Sequence, residues 1–171
     1  VPQTWEEYQA LSDRVAAEHP GYILGSFGDG WGFRTYFTPS GCPFSEAIDA
    51  NTVRINLDHP GCIRAANLVS HMLENGTLLP ESPFSPRFIR AANDNKLLMM
   101  IAAAWFGEYM FGGKPGSPYY QTAEGQLGVA LPLKWEGEDK IITDAMGGGA
   151  WTIYRDSPNP ELAVDLVIWM T

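Results

Sequence analysis

The stretch GGGAWTIYRDSPNPELAVDLVIWMT, residues 147–171, sets a strand-like run and a helix start side by side. Residues 150–156, AWTIYRD, read as a strand behind a glycine joint at Gly147, Gly148 and Gly149. Asn159 then stands at an N-cap, Pro160 at the first helical position and Glu161 in the first turn, where a carboxylate meets the positive end of the helix dipole. Ala163, Leu166, Val167 and Met170 follow at helical spacing and form an apolar stripe that needs burial. Strand followed by helix is the unit of a layered α/β fold, and the same alternation runs back through the chain. Neither end reads as self-contained. The stripe has no polar tail behind it, and Thr4-Trp5-Glu6-Glu7 opens a capping box directly after Val1-Pro2-Gln3. The expectation is a piece of a longer protein.

The first helix is expected over residues 5–18, with Trp5, Tyr8, Leu11 and Val15 on one face and His19-Pro20-Gly21 as its stop. Residues 21–27, GYILGSF, read as a short buried strand. Residues 28–41 begin glycine-rich and turn helical over 31–37. In TVRINLD, residues 52–58, Val53, Ile55 and Leu57 alternate with Arg54 and Asn56. That pattern predicts a half-exposed strand, in a hairpin with residues near 44–48. A second helix starts at Asp58, with Pro60 in its first turn, and stops at Asn75-Gly76; a third starts at Ser85-Pro86 and fades over 93–96. LLMMIAA, 97–103, reads as a buried strand leading to Trp105, followed by a short helix or turn to Gly112-Gly113 and a loop over 113–125. Residues 126–133 and 139–146 read as further strands. No internal repeat interrupts this order.

Composition bounds the function. At 171 residues the chain suits one domain, and 45% hydrophobic with 18% charged residues is the balance of a folded globule. The longest apolar run, 97–106, is short of the roughly 18–20 residues of a membrane span. A net charge of −9, from 11 basic and 20 acidic residues, argues against a nucleic-acid partner, because phosphates are bound by clustered Lys and Arg. Six Trp, seven Tyr and eight Phe suit a site that grips something uncharged with flat apolar faces. Cys42 and Cys62 are the two cysteines, and free buried thiols or a disulfide fit them alike.

Most chemical motifs are absent. GDGWG spaces Gly28, Gly30 and Gly32 as G-x-G-x-G, without the third glycine of a dinucleotide loop, and Trp31 stands where a pyrophosphate would approach. It reads instead as a tight strand-to-helix turn. There is no G-x-S-x-G and no H-E-x-x-H, and His19, His59 and His71 are too scattered to nominate a metal site. No spacing nominates a carboxylate pair for glycoside hydrolysis. Asn75-Gly76-Thr77 fits a glycosylation sequon, although a helix C-cap explains Asn-Gly fully. What remains is tryptophan. Trp31, Trp105 and Trp151 each follow a predicted strand or the glycine joint, where open α/β sheets place their clefts, and an indole face suits the C–H face of a sugar ring.

The segments PQTWEEYQAL, HPGCIRAANLVSHMLENGTL, FIRAANDNKLLMMIAAAWFGEYM, LGVALPLKWEGEDK and GGGAWTIYRDSPNPELAVDLVIWM resemble, in order and spacing, the extracellular family 1 solute-binding proteins of ABC sugar importers, which are similar to the maltose-binding protein. The likeness spans nearly the whole chain. It departs from the family at residues 28–37, and at Ala92-Asn93-Asp94-Asn95-Lys96, which replaces a usual Phe-x-x-Gly-Lys; Asn95 would take the left-handed conformation of that glycine. The resemblance implies one lobe of a type II periplasmic binding protein fold, a mixed sheet flanked by helices. Residues 1–145 would form the C-terminal lobe, and 146–171 would be hinge glycines, a strand and a cut helix belonging to the N-terminal lobe. It implies reversible binding of a carbohydrate between lobes, with no catalysis, cofactor or metal. Trp105 would stack under the sugar, Trp31 and Asp29 would lie on the cleft edge, and Gly148, Gly149 and Trp151 would lie at hinge and cleft. ABC permease subunits would be the partners, and the location extracellular, as a membrane-anchored lipoprotein or in the periplasm. Residues 159–171, without their own lobe, would dock on a second copy of the chain. The rival reading is an α/β enzyme acting on glycans or nucleotides.

Overall fold

A computed structural model describes residues 1–111, 122–123, 125–145 and 149–170. The element order is α1 (Trp5–Glu18), β1 (Gly25–Ser26), α2 (Gly30–Phe37), β2 (Ser45–Ala47), β3 (Val53–Ile55), α3 (Pro60–Glu74), β4 (Leu78–Leu79), α4 (Pro86–Asn93), α5 (Ala104–Phe106) running into a π-helical turn (Gly107–Phe111), and α6 (Pro160–Met170).

Local chemistry sets the helix ends. The Thr4 side chain accepts from the Glu7 N–H at 3.1 Å, and the Glu7 carboxylate reaches back to the Gln3 N–H at 2.7 Å, a reciprocal box around the start of α1. Ser85 caps α4 by accepting from the Phe88 N–H, with Pro86 at the first helical position. α3 starts at Pro60 rather than at the expected Asp58 and is capped by His59, whose Nδ1 accepts from the Gly61 N–H. Gly76, at φ +80°, turns the chain out of α3, and Asn95, at φ +57°, does the same after α4.

β1 and β4 pair in parallel, Gly25 with Leu78 and Ser26 with Leu79, and Ile23 forms a single parallel bridge to Leu97 on the other side. The pleat sends neighbouring side chains to opposite faces. Leu24 and Leu78 join a core cluster with Trp5, Tyr8, Tyr36, Leu68 and Met72, from α1, α2 and α3. Ile23 and Leu79 join a second cluster with Phe88, Phe106 and Met110, from α4, α5 and the π turn. Helical layers thus cover both faces of a small parallel sheet, the α/β arrangement. Gly25 has no room for a side chain: a Cβ there would lie 2.7 Å from the Tyr36 hydroxyl. Burial pushes that hydroxyl up to a pKa of about 12.

Several expected strands do not form. Residues 98–103 have no ladder beyond the Leu97 bridge, and residues 126–133, 139–145 and 150–156 hold no strand. Such runs carry strand-forming residues but meet no free sheet edge among the described residues, and a strand exists only by pairing. Val129 and Leu131 are exposed and Leu133 is buried. The antiparallel hairpin of β2 and β3 forms as expected, but Val53, Ile55 and Leu57 are all exposed instead of covering a core face.

Residues 133–144 are fastened without regular structure. Trp135 stacks on Trp5 with ring centroids 6.1 Å apart, and the Arg64 guanidinium lies 4.7 Å over the Trp135 ring while pairing with Glu138 at 2.7 Å. A disulfide joins Cys42 to Cys62, fixing the turn after α2 to the first turn of α3. After Leu133 no described residue is buried. In α6 the stripe residues Leu166 and Met170 are exposed, as are Leu162, Val164, Ile168 and Trp169. No described helix is long and apolar enough to cross a membrane.

Candidate functional site

The C-terminal end of β1 opens into a groove. Ser26 ends the strand, and the chain must then turn sharply to begin α2. Gly28 makes the turn by pressing against the backbone of residues 81–82, where a Cβ would fall 1.9 Å from the Glu81 carbonyl carbon. This is why glycine stands first in GDGWG. The loop is filled by its own chain, leaving no cradle for a phosphate at that position.

Asp29 follows with extended backbone as the N-cap of α2. Its Oδ1 accepts from the N–H groups of Trp31 at 3.0 Å and Gly32 at 3.2 Å, and its Oδ2 accepts from the Ser82 hydroxyl at 2.7 Å. The carboxylate therefore ties the start of α2 to the loop after β4. That cap holds Trp31 on the groove side of the helix, one turn before Thr35, whose hydroxyl donates to the Trp31 carbonyl at 2.8 Å.

The opposite wall is residues 100–106. Ala103, extended, starts α5, and Trp105 meets Trp31 edge to face, with centroids 6.2 Å apart and planes at 74°. Phe106, buried behind it, contacts Trp105 at 5.4 Å and Phe84 at 6.0 Å. Trp31 is 39% and Trp105 38% exposed, values of half-open rings rather than core. Ser26, Met100 and Ile101 complete the floor. The groove offers only about 30 Å³, against roughly 300–1,000 Å³ for a typical ligand pocket, so a ring-sized ligand would lie on it rather than inside it.

The structure thus brings together Asp29, Trp31 and Trp105, which are far apart in sequence. It does not bring Trp151 there; Trp151 is 63% exposed and outside the groove lining, as is Gly149. Gly148 lies outside the described residues. Ser26, Thr35 and Phe84 belong to the groove but carry no motif; the signal available for Ser26 was a lone hydroxyl at the end of an apolar strand. Among the described residues no three His, Cys, Asp or Glu side chains gather as a metal site. His59 caps α3, and His71 pairs with Asp13. No protein-family model matches the chain, and no curated protein matches it either.

Proposed function

We propose that this chain is one lobe of an extracellular carbohydrate-binding protein serving an ABC importer, with the type II periplasmic binding protein fold. The observation that carries the reading is the aromatic corner: Trp31 and Trp105, half-exposed and edge to face, over a shallow apolar groove at the end of a parallel strand. Two indole faces at this angle suit the C–H faces of a sugar, and strand ends are where α/β sheets bind ligands. The groove is one wall, and in this reading a second lobe supplies the other, closing on the sugar about a hinge at Gly148 and Gly149. The step is reversible binding, with no bond made or broken; permease subunits would receive the loaded, closed form. The disulfide supports an oxidising compartment, hence an extracellular lipoprotein or a periplasmic protein. The apolar faces of α6 support a covering surface, the second lobe in the whole receptor and a second copy for this chain alone.

One wall binds weakly, because a stacking face and a few hydrogen bonds must offset about 4 kcal/mol or more of association cost. The test is nuclear magnetic resonance of the indole N–H groups during titration with neutral mono- and disaccharides up to ~100 mM. The expected result is a shift of the Trp31 and Trp105 signals with millimolar affinity. Silence with every sugar overturns the carbohydrate reading, and micromolar binding by residues 1–171 overturns the two-lobe reading.

A further inference from the structure

Resting on the carbohydrate reading, we propose that Ser26 is the polar anchor of the groove and that the groove selects uncharged rings over anionic ones. Among the described residues, three lining side chains carry oxygen: Ser26, Asp29 and Thr35. Asp29 is committed to its own loops, accepting from two backbone N–H groups and from Ser82. Thr35 is buried, with its hydroxyl donated to the Trp31 carbonyl. Ser26 is different. It is half-buried on the groove floor, and its hydroxyl makes no hydrogen bond with any described residue. A hydroxyl both donates and accepts, so it matches a sugar hydroxyl in either role.

Its backbone is fixed by the register with Leu79, so the anchor sits on a strand rather than a loop. The indole N–H of Trp31 is a second side-chain polar group of the lining that makes no hydrogen bond with any described residue. Both are neutral. Among the described residues no lysine, arginine or histidine lines the groove, while the Asp29 carboxylate does, so an anionic ligand would be desolvated beside a negative charge with no counter-ion from those residues. A neutral ring meets no such charge repulsion there.

The experiment extends the indole titration to Ser26→Ala and Ser26→Thr, with glucose and cellobiose as neutral probes and glucuronic acid and glucose 6-phosphate as anionic ones. Wild type is expected to respond to a neutral probe and at least tenfold more weakly to its anionic counterparts. Ser26→Ala should weaken the neutral probe by about 2- to 12-fold, one net hydrogen bond, at an unchanged melting temperature, and Ser26→Thr should restore part of the loss. Unchanged affinity in Ser26→Ala, or anionic probes that bind as well as neutral ones, overturns this inference while leaving the carbohydrate reading standing. Silence of wild type with all four probes overturns both.

Discussion

Arg34 closes on Asp144 through two nitrogens, Nε lying 2.6 Å from Oδ2 and Nη2 2.9 Å from Oδ1. This fork joins α2, the helix that carries Trp31, to a segment with no regular structure. The hydrogen bonds from Arg34 hold the Asp144 carboxyl below the ordinary aspartate range, against burial, which raises it. A lowered folded-state pKa stabilises the fold fully above the unfolded value of about 3.9, and the gain is lost as pH falls through and below it. Melting temperatures of wild type and Asp144→Asn should therefore differ by a constant amount from pH 7 to pH 5. The gap should close as pH falls from about 4. A gap that persists undiminished at pH 2.5 would contradict this role for the pair.

Trp5 and Trp105 should respond differently to truncation. Trp5 is 1% exposed and packs on Tyr8, Tyr36 and Trp135, so Trp5→Ala should cost about 3–5 kcal/mol. Trp105 is half-open, so its truncation gives up less buried surface and Trp105→Ala should cost less than Trp5→Ala. Urea unfolding of both variants decides it; equal losses would place Trp105 in the core.

Gly28 and Gly30 flank Asp29 yet face opposite surroundings. A Cβ at Gly28 would overlap backbone at residues 81–82, while one at Gly30 meets nothing within 4 Å. Gly28→Ala should cost at least ~2 kcal/mol by forcing that loop away. Gly30→Ala, at the first position of α2, should be neutral or stabilising by up to ~1 kcal/mol. Circular-dichroism melts of the two variants would reveal a reversal of this order.

The local signals were the legible ones. Thr4, Ser85 and Asn95 announce helix ends because capping needs only a few neighbouring residues, and α1, α3 and α4 stand close to where periodicity put them. Strands were not legible at residues 126–133 and 150–156, because an apolar run becomes a strand only if a distant edge receives it. β4 escaped for the converse reason: Leu78 and Leu79 are too short a run to carry a pattern, yet parallel pairing with β1 buries both. In the groove, Trp31 and Trp105 could be nominated from their settings one by one. Their meeting depends on α5 folding back beside α2, which no local pattern encodes. The cap formed by Asp29 has a local signature, Asp before a helix start, that competes with any ligand role.

Cys42 and Cys62 are 5% and 2% exposed, and their bond closes a loop of 20 residues around the hairpin. Cys42→Ala with Cys62→Ala should lower stability by about 3 kcal/mol, the chain entropy released to the unfolded state. Denaturant midpoints with and without the pair measure it, and a loss under ~1 kcal/mol would show that the loop is already ordered when unfolded.

The end of α3 carries a consequence for how the protein ages. Asn75-Gly76 is the pair whose side-chain amide is normally lost fastest, because the small glycine lets its backbone nitrogen attack the Asn carbonyl. Here Asn75 Nδ2 donates to the Ser12 hydroxyl at 2.8 Å, Ser12 lies 2.6 Å from the Thr77 hydroxyl, and Thr77 donates back to Asn75 Oδ1 at 2.8 Å. The ring closes on itself, with Ser12 and Thr77 buried. Both ends of the amide are held, so cyclisation to a succinimide requires the ring to open first. The same clasp keeps the nitrogen of the Asn-Gly-Thr sequon from an oligosaccharide donor once the fold is made. Chemical wear at this site is thereby governed by the rate at which α1 and the end of α3 come apart.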